Sequence, residues 1–167
     1  RNQSCYWNCW KEKSIGNLEV ASGILTIEEL HVESISNKGE LSSDTVITIG
    51  DLTNSGSMNV VTTNVDGNLI DNGTWAADGE INFVGTGEHE FDSNSSTKYA
   101  KINVEKSSGS LTIKDILDVT GLNINSNVIF EGSATIDKLS IDMSSSETTY
   151  SALLLEFLVL ISISYHL

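Results

Sequence analysis

Apolar residues recur at i and i+2 in short bursts along most of this chain. The pairs begin with Leu18/Val20, Leu25/Ile27, Leu30/Val32, Ile47/Ile49, Met58/Val60 and Ile81/Phe83. They continue with Ile102/Val104, Leu111/Ile113, Leu117/Val119, Leu122/Ile124, Val128/Phe130 and Leu139/Ile141. A period of two over so few residues predicts very short strands with one face buried. The breaks hold Gly, Asn, Asp and Ser, the residues that supply turns and left-handed positions. No window carries an apolar stripe of helical period with caps, so no helix is expected between residues 15 and 143.

The turns keep a fixed step. Asn37-Lys-Gly39-Glu-Leu41, Asn54-Ser-Gly56-Ser-Met58 and Asp71-Asn-Gly73-Thr-Trp75 share one pattern, with their glycines 17 residues apart both times. A longer echo joins Ser22-Gly-Ile-Leu-Thr-Ile27 to Ser108-Gly-Ser-Leu-Thr-Ile113 at an offset of 86. Strands this short fit either an antiparallel sandwich or barrel or a parallel solenoid. The fixed step and the echo favour the solenoid. So does the scarcity of two-residue hairpin turns, for which Asp71-Asn-Gly73 is the one candidate. The fold class expected is all-β, a parallel β-solenoid or single-stranded β-helix.

A single coil buries almost nothing. Stacked about 4.8 Å apart, coils pair with their neighbours above and below. Ile, Val and Leu then form interior columns, and Asn and Ser line up at corners. With roughly 17 to 25 residues per coil, about six coils would make a rod about 30 Å long. In that arrangement Leu41, Met58 and Trp75 fall in equivalent positions, which places Trp75 in a core column. Each end of such a rod exposes strand edges that need a cap or a continuing chain.

Composition adds limits. The chain has 167 residues, one domain's worth, with no proline where about eight would be usual. Proline cannot donate to a ladder, so a continuous stack of strands accounts for its absence. The formal net charge is −14, dispersed along the chain. Such a surface repels phosphate backbones and anionic lipid, so neither nucleic acid nor a membrane is an expected partner. Arg1 is the only arginine, which removes the guanidinium fork on which many carboxylate and phosphate sites depend.

The ends differ from the middle. Residues 1–14 hold both cysteines, Cys5 and Cys9, and two of the three tryptophans. They read as an atypical N-terminal flank, with the cysteines incidental. The chain opens on Arg1 rather than Met, as a fragment or processed form does, and residues 1–13 lack the apolar core of a signal peptide. Residues 144–167 begin with a polar joint and end in an apolar tail, Ala152 to Leu167, interrupted by Glu156. That tail is short for a membrane span, which takes about 20 residues, and reads as a packing tail or cap.

Several segments resemble the repeat regions of large secreted bacterial surface proteins. These are Gly85-Thr-Gly-Glu-His-Glu-Phe91, Tyr99-Ala-Lys-Ile-Asn-Val104, Ser107-Ser-Gly-Ser-Leu-Thr-Ile113, Leu117-Asp-Val-Thr-Gly-Leu122 and the Asn-x-Gly turns. Filamentous-haemagglutinin-like adhesins and autotransporter passenger domains belong to that group. The resemblance covers about residues 17 to 143. It implies a parallel β-helix, export to the extracellular surface and a non-catalytic stalk or adhesin role. A surface glycan or protein, and flanking repeats of a longer chain, are the partners it implies.

The candidate chemistry is sparse, and no catalytic, cofactor or metal residues are assigned. A carbohydrate-active β-helix would need paired carboxylates across a cleft. The candidates are Asp78, Glu80, Glu88, Glu90 and Asp92, with His89 for acid–base work. No partner group for His89 is identifiable, so it reads as a turn histidine; His31 and His166 have no supporting pattern. Asp66-Gly-Asn68 and Asp71-Asn72 offer hard oxygen ligands for calcium, but turn chemistry explains them without an ion. Trp75, Phe83, Phe91 and Tyr99 fall eight residues apart. On one outer face they would stack on sugars, the basis of a carbohydrate-binding alternative; in the core they would be packing. Asn72 and Asn94 fit the glycosylation acceptor pattern, as chance allows in a chain so rich in Asn and Ser.

Overall fold

In the computed structural model, residues 15–28, 30–93, 96–141 and 151–152 are described, with 15, 45–48 and 151–152 as backbone alone. The upper coils are built from β1 (Ile15–Val20), β2 (Ile24–Thr26), β3 (Leu30–Asn37), β4 (Glu40–Asn54), β5 (Ser57–Val65), β6 (Leu69–Asp71) and β7 (Thr74–Trp75). Then follow β8 (Glu80–Phe83), β9 (Glu88–Ser93), β10 (Lys98–Val104), β11 (Ser110–Ile124), β12 (Asn127–Phe130), β13 (Ser133–Ile141) and β14 (Ser151–Ala152). Every pairing among them is parallel. The result is a parallel β-solenoid of about seven turns. Asp71-Asn-Gly73 is therefore a stacked corner and not a hairpin.

Each coil contributes three runs of extended chain, and three sets of columns follow. On the first face Leu25 stacks on Leu41, Leu41 on Met58, and Met58 on Trp75, the equivalence that the 17-residue step predicts. On the second face Val32, Ile49, Val65, Phe83, Val104, Ile124 and Ile141 form one column. On the third face Leu18, Ile35, Leu52, Leu69, Phe91, Ile113 and Phe130 form another. Burial follows stacking. Ile49, Val65, Phe83 and Val104 are wholly buried, whereas Ile141, in the last described coil, is 39% exposed. One coil supplies the floor of the next, so interior members gain most of the apolar transfer energy, about 1.5–3 kcal/mol per large side chain.

The step is not constant. It is 17 residues from Asn37 to Asn54 and from Asn54 to Asp71. It becomes 18 from Asn64 to Asn82, 22 from Glu88 to Ser110, and 20 from Asn103 to Asn123. Longer corners absorb the extra residues while the ladders hold register.

The 86-residue echo does not join stacked positions. Leu25 lies on the first face above Leu41, whereas Leu111 lies on the third face between His89 and Val128. The flanking match of Leu30-x-Val32 to Leu117-x-Val119, at an offset of 87, likewise joins the second face to the first. All three faces obey the same apolar–polar–apolar rule. A match between two halves of the sequence can thus slip by one face without any loss of similarity.

The Asn-x-Gly corners show why the step is strict where it is 17. Asn37 Oδ1 accepts from Gly39 N at 3.2 Å, Asn54 Oδ1 from Gly56 N at 3.1 Å, and Asp71 Oδ1 from Gly73 N at 3.1 Å. Each coil thus makes the same Asx turn. The glycines are required by closeness rather than by φ. A Cβ on Gly56 would lie 2.0 Å from Gly39 O, and one on Gly73 would lie 2.2 Å from Gly56 O.

Candidate functional site

The Asx residues at these corners point inward. Asn37 Nδ2 donates to Asn54 Oδ1 at 2.8 Å, and Asn54 Nδ2 donates to Asp71 Oδ1 at 2.8 Å. Asp71 Oδ2 then accepts from Tyr99 OH at 2.5 Å, and Tyr99 OH lies 3.0 Å from Ser93 Oγ. All five side chains are buried. An amide can donate to one coil and accept from another, so it propagates a ladder. A carboxylate only accepts, so Asp71 ends the run and accepts the tyrosine hydroxyl's hydrogen bond. The calcium reading of Asp71 gives way here: both its oxygens face donors inside the stack. Asn72 is exposed at the corner.

Asp66-Gly-Asn68 has a similar fate. Asn68 N donates to Asp51 Oδ1 at 2.7 Å, and Asn68 Oδ1 accepts from Glu90 N at 2.9 Å. The Asp66 carboxylate fills the space that a Cβ on Gly85 would occupy, 1.6 Å from its Oδ1. Among the described residues, no group of three His, Cys, Asp or Glu side chains is placed to hold a metal ion.

The four aromatics lie in the core, not on an outer face. Trp75 is 7% exposed, Tyr99 1%, and Phe83 and Phe91 are fully buried. They form a chain of contacts: Trp75–Tyr99 centroids at 6.3 Å, Tyr99–Phe91 at 5.5 Å and near edge-on, and Phe91–Phe83 at 5.3 Å. Their eight-residue spacing places them on all three faces, where they fill the core. The sugar-stacking arrangement is therefore not formed by these residues.

The segment around His89 gathers the most titratable groups. Gly85 and Gly87 have positive φ and turn the chain from β8 into β9. That turn leaves Glu88, Glu90 and Asp92 alternating with His89 and Phe91 along β9. Lys106, from the next coil, reaches back and places Nζ 2.7 Å from His89 Nδ1 and 3.4 Å from Val84 O. Lys106 is buried, and Ser110 donates to the Glu88 carboxylate. An ammonium has donors only, so the imidazole nitrogen facing it is the acceptor and the proton sits on Nε2. Burial is the largest influence on His89 and pushes its pKa below 6.5; the Lys106 charge adds to this, while Asp66, Asp51 and Glu88 oppose it. Burial likewise pushes the Lys106 pKa below 10.5, against Asp66 and Glu88.

This arrangement defines what His89 can do. Its basic nitrogen is occupied by an ammonium and its other nitrogen carries a hydrogen, so near neutral pH it has no lone pair for general-base work. The carboxylates are engaged separately. Glu90 Oε1 lies 2.8 Å from Lys114 Nζ, and Glu80 Oε1 lies 3.1 Å from Lys101 Nζ and also accepts from Asn103. Asp78 is exposed on the turn before β8, and His31 faces outward on β3. His166, Cys5, Cys9 and Asn94 lie outside the described residues, as does the reading of the apolar tail.

Two features escaped the sequence reading. Lys106 looks like an ordinary turn lysine in Glu105-Lys-Ser-Ser-Gly109, and nothing in that string marks it as buried. The second is an outward amide ladder on the second face. Asn82 Nδ2 donates to Asn64 Oδ1 at 2.9 Å, Asn103 Nδ2 to Asn82 Oδ1 at 2.6 Å, and Asn123 Nδ2 to Asn103 Oδ1 at 2.6 Å. Its signal was present: three of the four Asn sit between two apolar residues, in Ile81-Asn-Phe83, Ile102-Asn-Val104 and Leu122-Asn-Ile124, and the fourth lies in Thr63-Asn-Val65.

No protein-family model, no curated protein and no solved structure matches this chain.

Proposed function

We propose that this chain is a structural stalk or adhesin repeat segment of a secreted or cell-surface protein, without catalysis. The observation that carries the reading is where its polar and aromatic side chains go. Asn37, Asn54, Asp71 and Tyr99 are joined inside the stack, and His89 is held by Lys106. Side chains that would serve a reaction centre are committed to holding one coil on the next. A parallel ladder with repeated corners extends by adding coils, which suits a spacer. The resemblance of residues 17–143 to filamentous-haemagglutinin-like and autotransporter repeats supports the same reading. The acidic surface suits a solvated rod that does not self-associate.

The test uses intact cells of the source organism. An antibody raised against the purified chain labels unpermeabilised cells, and external protease removes the epitope. Labelling that requires permeabilisation would overturn the surface assignment. Release of new reducing ends from a polysaccharide panel by the purified chain would overturn the non-catalytic one.

A further inference from the structure

We infer that the His89–Lys106 contact is an acid-sensitive latch that ties the corner after β8 to the corner after β10. Lys106 spans the two coils. Its stem is buried, and its ammonium meets His89 Nδ1 at 2.7 Å and Val84 O at 3.4 Å. The contact needs a lone pair on Nδ1. Protonation of His89 turns that acceptor into a donor and sets two cations in hydrogen-bond contact. No rotation of the ammonium restores the bond, because it has nothing to accept with.

The surrounding charges do not relieve the clash fully. Glu88 and Glu90 lie on His89's own strand, with Ser110 donating to Glu88 and Lys114 paired to Glu90. Asp66 and Asp51 face the site from the stacked corners above, and Asn68 N already donates to Asp51 Oδ1. Leu111 lies opposite His89 in the ladder and offers no charge. The three carboxylates that favour the imidazolium are outweighed by burial and by Lys106, consistent with the lowered pKa of both partners.

Opening has a local route. The two corners are held together by Ser107 N and Ser107 Oγ, which donate to Gly85 O at 2.8 and 2.9 Å, and by Glu105 N, which donates to Phe83 O at 2.8 Å. Gly85, Gly87 and Gly109, all at positive φ, flank these bonds. The folded-state pKa of His89 lies below its unfolded value. The latch is therefore complete above pH 6.5 and weakens as pH falls from there through the folded value. Its action does not depend on the proposed surface role.

The experiment is a side-chain NMR titration of His89 in the full chain. It is paired with amide exchange at Ser107, corrected for the intrinsic pH dependence, between pH 7.5 and 5. The expected spectrum is a neutral imidazole protonated on Nε2 that titrates below 6.5. Ser107 protection should fall about tenfold for each unit by which that value is depressed. In Lys106→Met the His89 value should rise, since the carboxylates remain. In His89→Gln, which keeps an acceptor but cannot titrate, Ser107 protection should become flat across the range. An Nδ1-protonated tautomer, an unchanged His89 value in Lys106→Met, or a persisting pH dependence in His89→Gln would each overturn the latch.

Discussion

At the scale of single residues, fitness for this fold means fitting between identical neighbours. Thr63 is one exception among the described residues, and Trp75, whose Nε1 is also buried without a hydrogen-bond partner, is another. Thr63 is fully buried on the second face, paired with Ile81 in a column beside that of Val65 and Phe83, and its Oγ1 has no hydrogen-bond partner. A buried orphan hydroxyl costs about 1–3 kcal/mol, and Val has nearly the same shape. Thr63→Val should therefore raise the urea midpoint, by an amount in that range after conversion with the m-value. Thr63→Ser, which keeps the hydroxyl and loses the methyl, should lower it. Gly56→Ala should be destabilising by about 1–3 kcal/mol, because its methyl would meet Gly39 O at 2.0 Å. The sequence made the glycine legible as a turn residue, since the Asx-x-Gly pattern is local. It could not reveal Lys106, whose burial depends on a neighbouring coil 17 residues back at His89.

At the scale of elements, ladders decide identity. Asn54 is the central rung, taking a hydrogen from Asn37 and giving one to Asp71. Asn54→Asp keeps the size and removes the donor, and would set two carboxylates against each other in the interior. We expect a loss of about 3–5 kcal/mol at pH 7, the usual scale for an uncompensated buried charge. Like-charged carboxylates share a proton as the medium acidifies. The deficit relative to the unmodified chain should thus shrink between pH 7 and pH 4 in matched denaturation curves. The aromatic cluster gives a second check. Phe91→Ala should cost about 3–5 kcal/mol, because Phe91 touches both Phe83 and Tyr99. The period-two bursts made the strands readable. The three-face arrangement was less so, because every face follows the same alternation. That degeneracy let the 86-residue echo match the wrong faces, while the 17-residue corner step, pinned by glycine contacts, matched the right ones.

At the scale of the whole molecule, stability is a sum of like interfaces between neighbouring coils. Residues 40–56 are one such unit of 17, from the residue after Gly39 to Gly56. Their deletion joins one Asn-x-Gly corner to the strand that follows the next. The shortened chain should keep a β-type circular dichroism spectrum and melt cooperatively at a lower temperature. Deletion of residues 40–47 instead, about half a coil, should abolish the cooperative transition, since it rotates every later strand onto another face. The exposed ion pairs, such as Lys38–Glu19 at 3.1 Å and Lys98–Asp137 at 2.9 Å, add little to this sum. Raised salt screens the mutual repulsion of a chain of net charge −14, so it should raise the melting temperature rather than lower it.

In-register parallel stacking can be read with a disulfide ruler. Ser36 and Thr53 are ladder partners on adjacent coils, whereas Ser34 pairs with Asp51. Partners lie about 4.8 Å apart, within the Cα range that a disulfide spans. A pair displaced by two residues is about 8 Å apart and beyond it. With Cys5 and Cys9 changed to Ser, mild oxidation of Ser36→Cys/Thr53→Cys should give a monomeric, cross-linked chain that resists urea better than its reduced form. Ser34→Cys/Thr53→Cys should stay reduced under the same conditions. Equal cross-linking of the two pairs, or preferential cross-linking of the displaced pair, would contradict the stack.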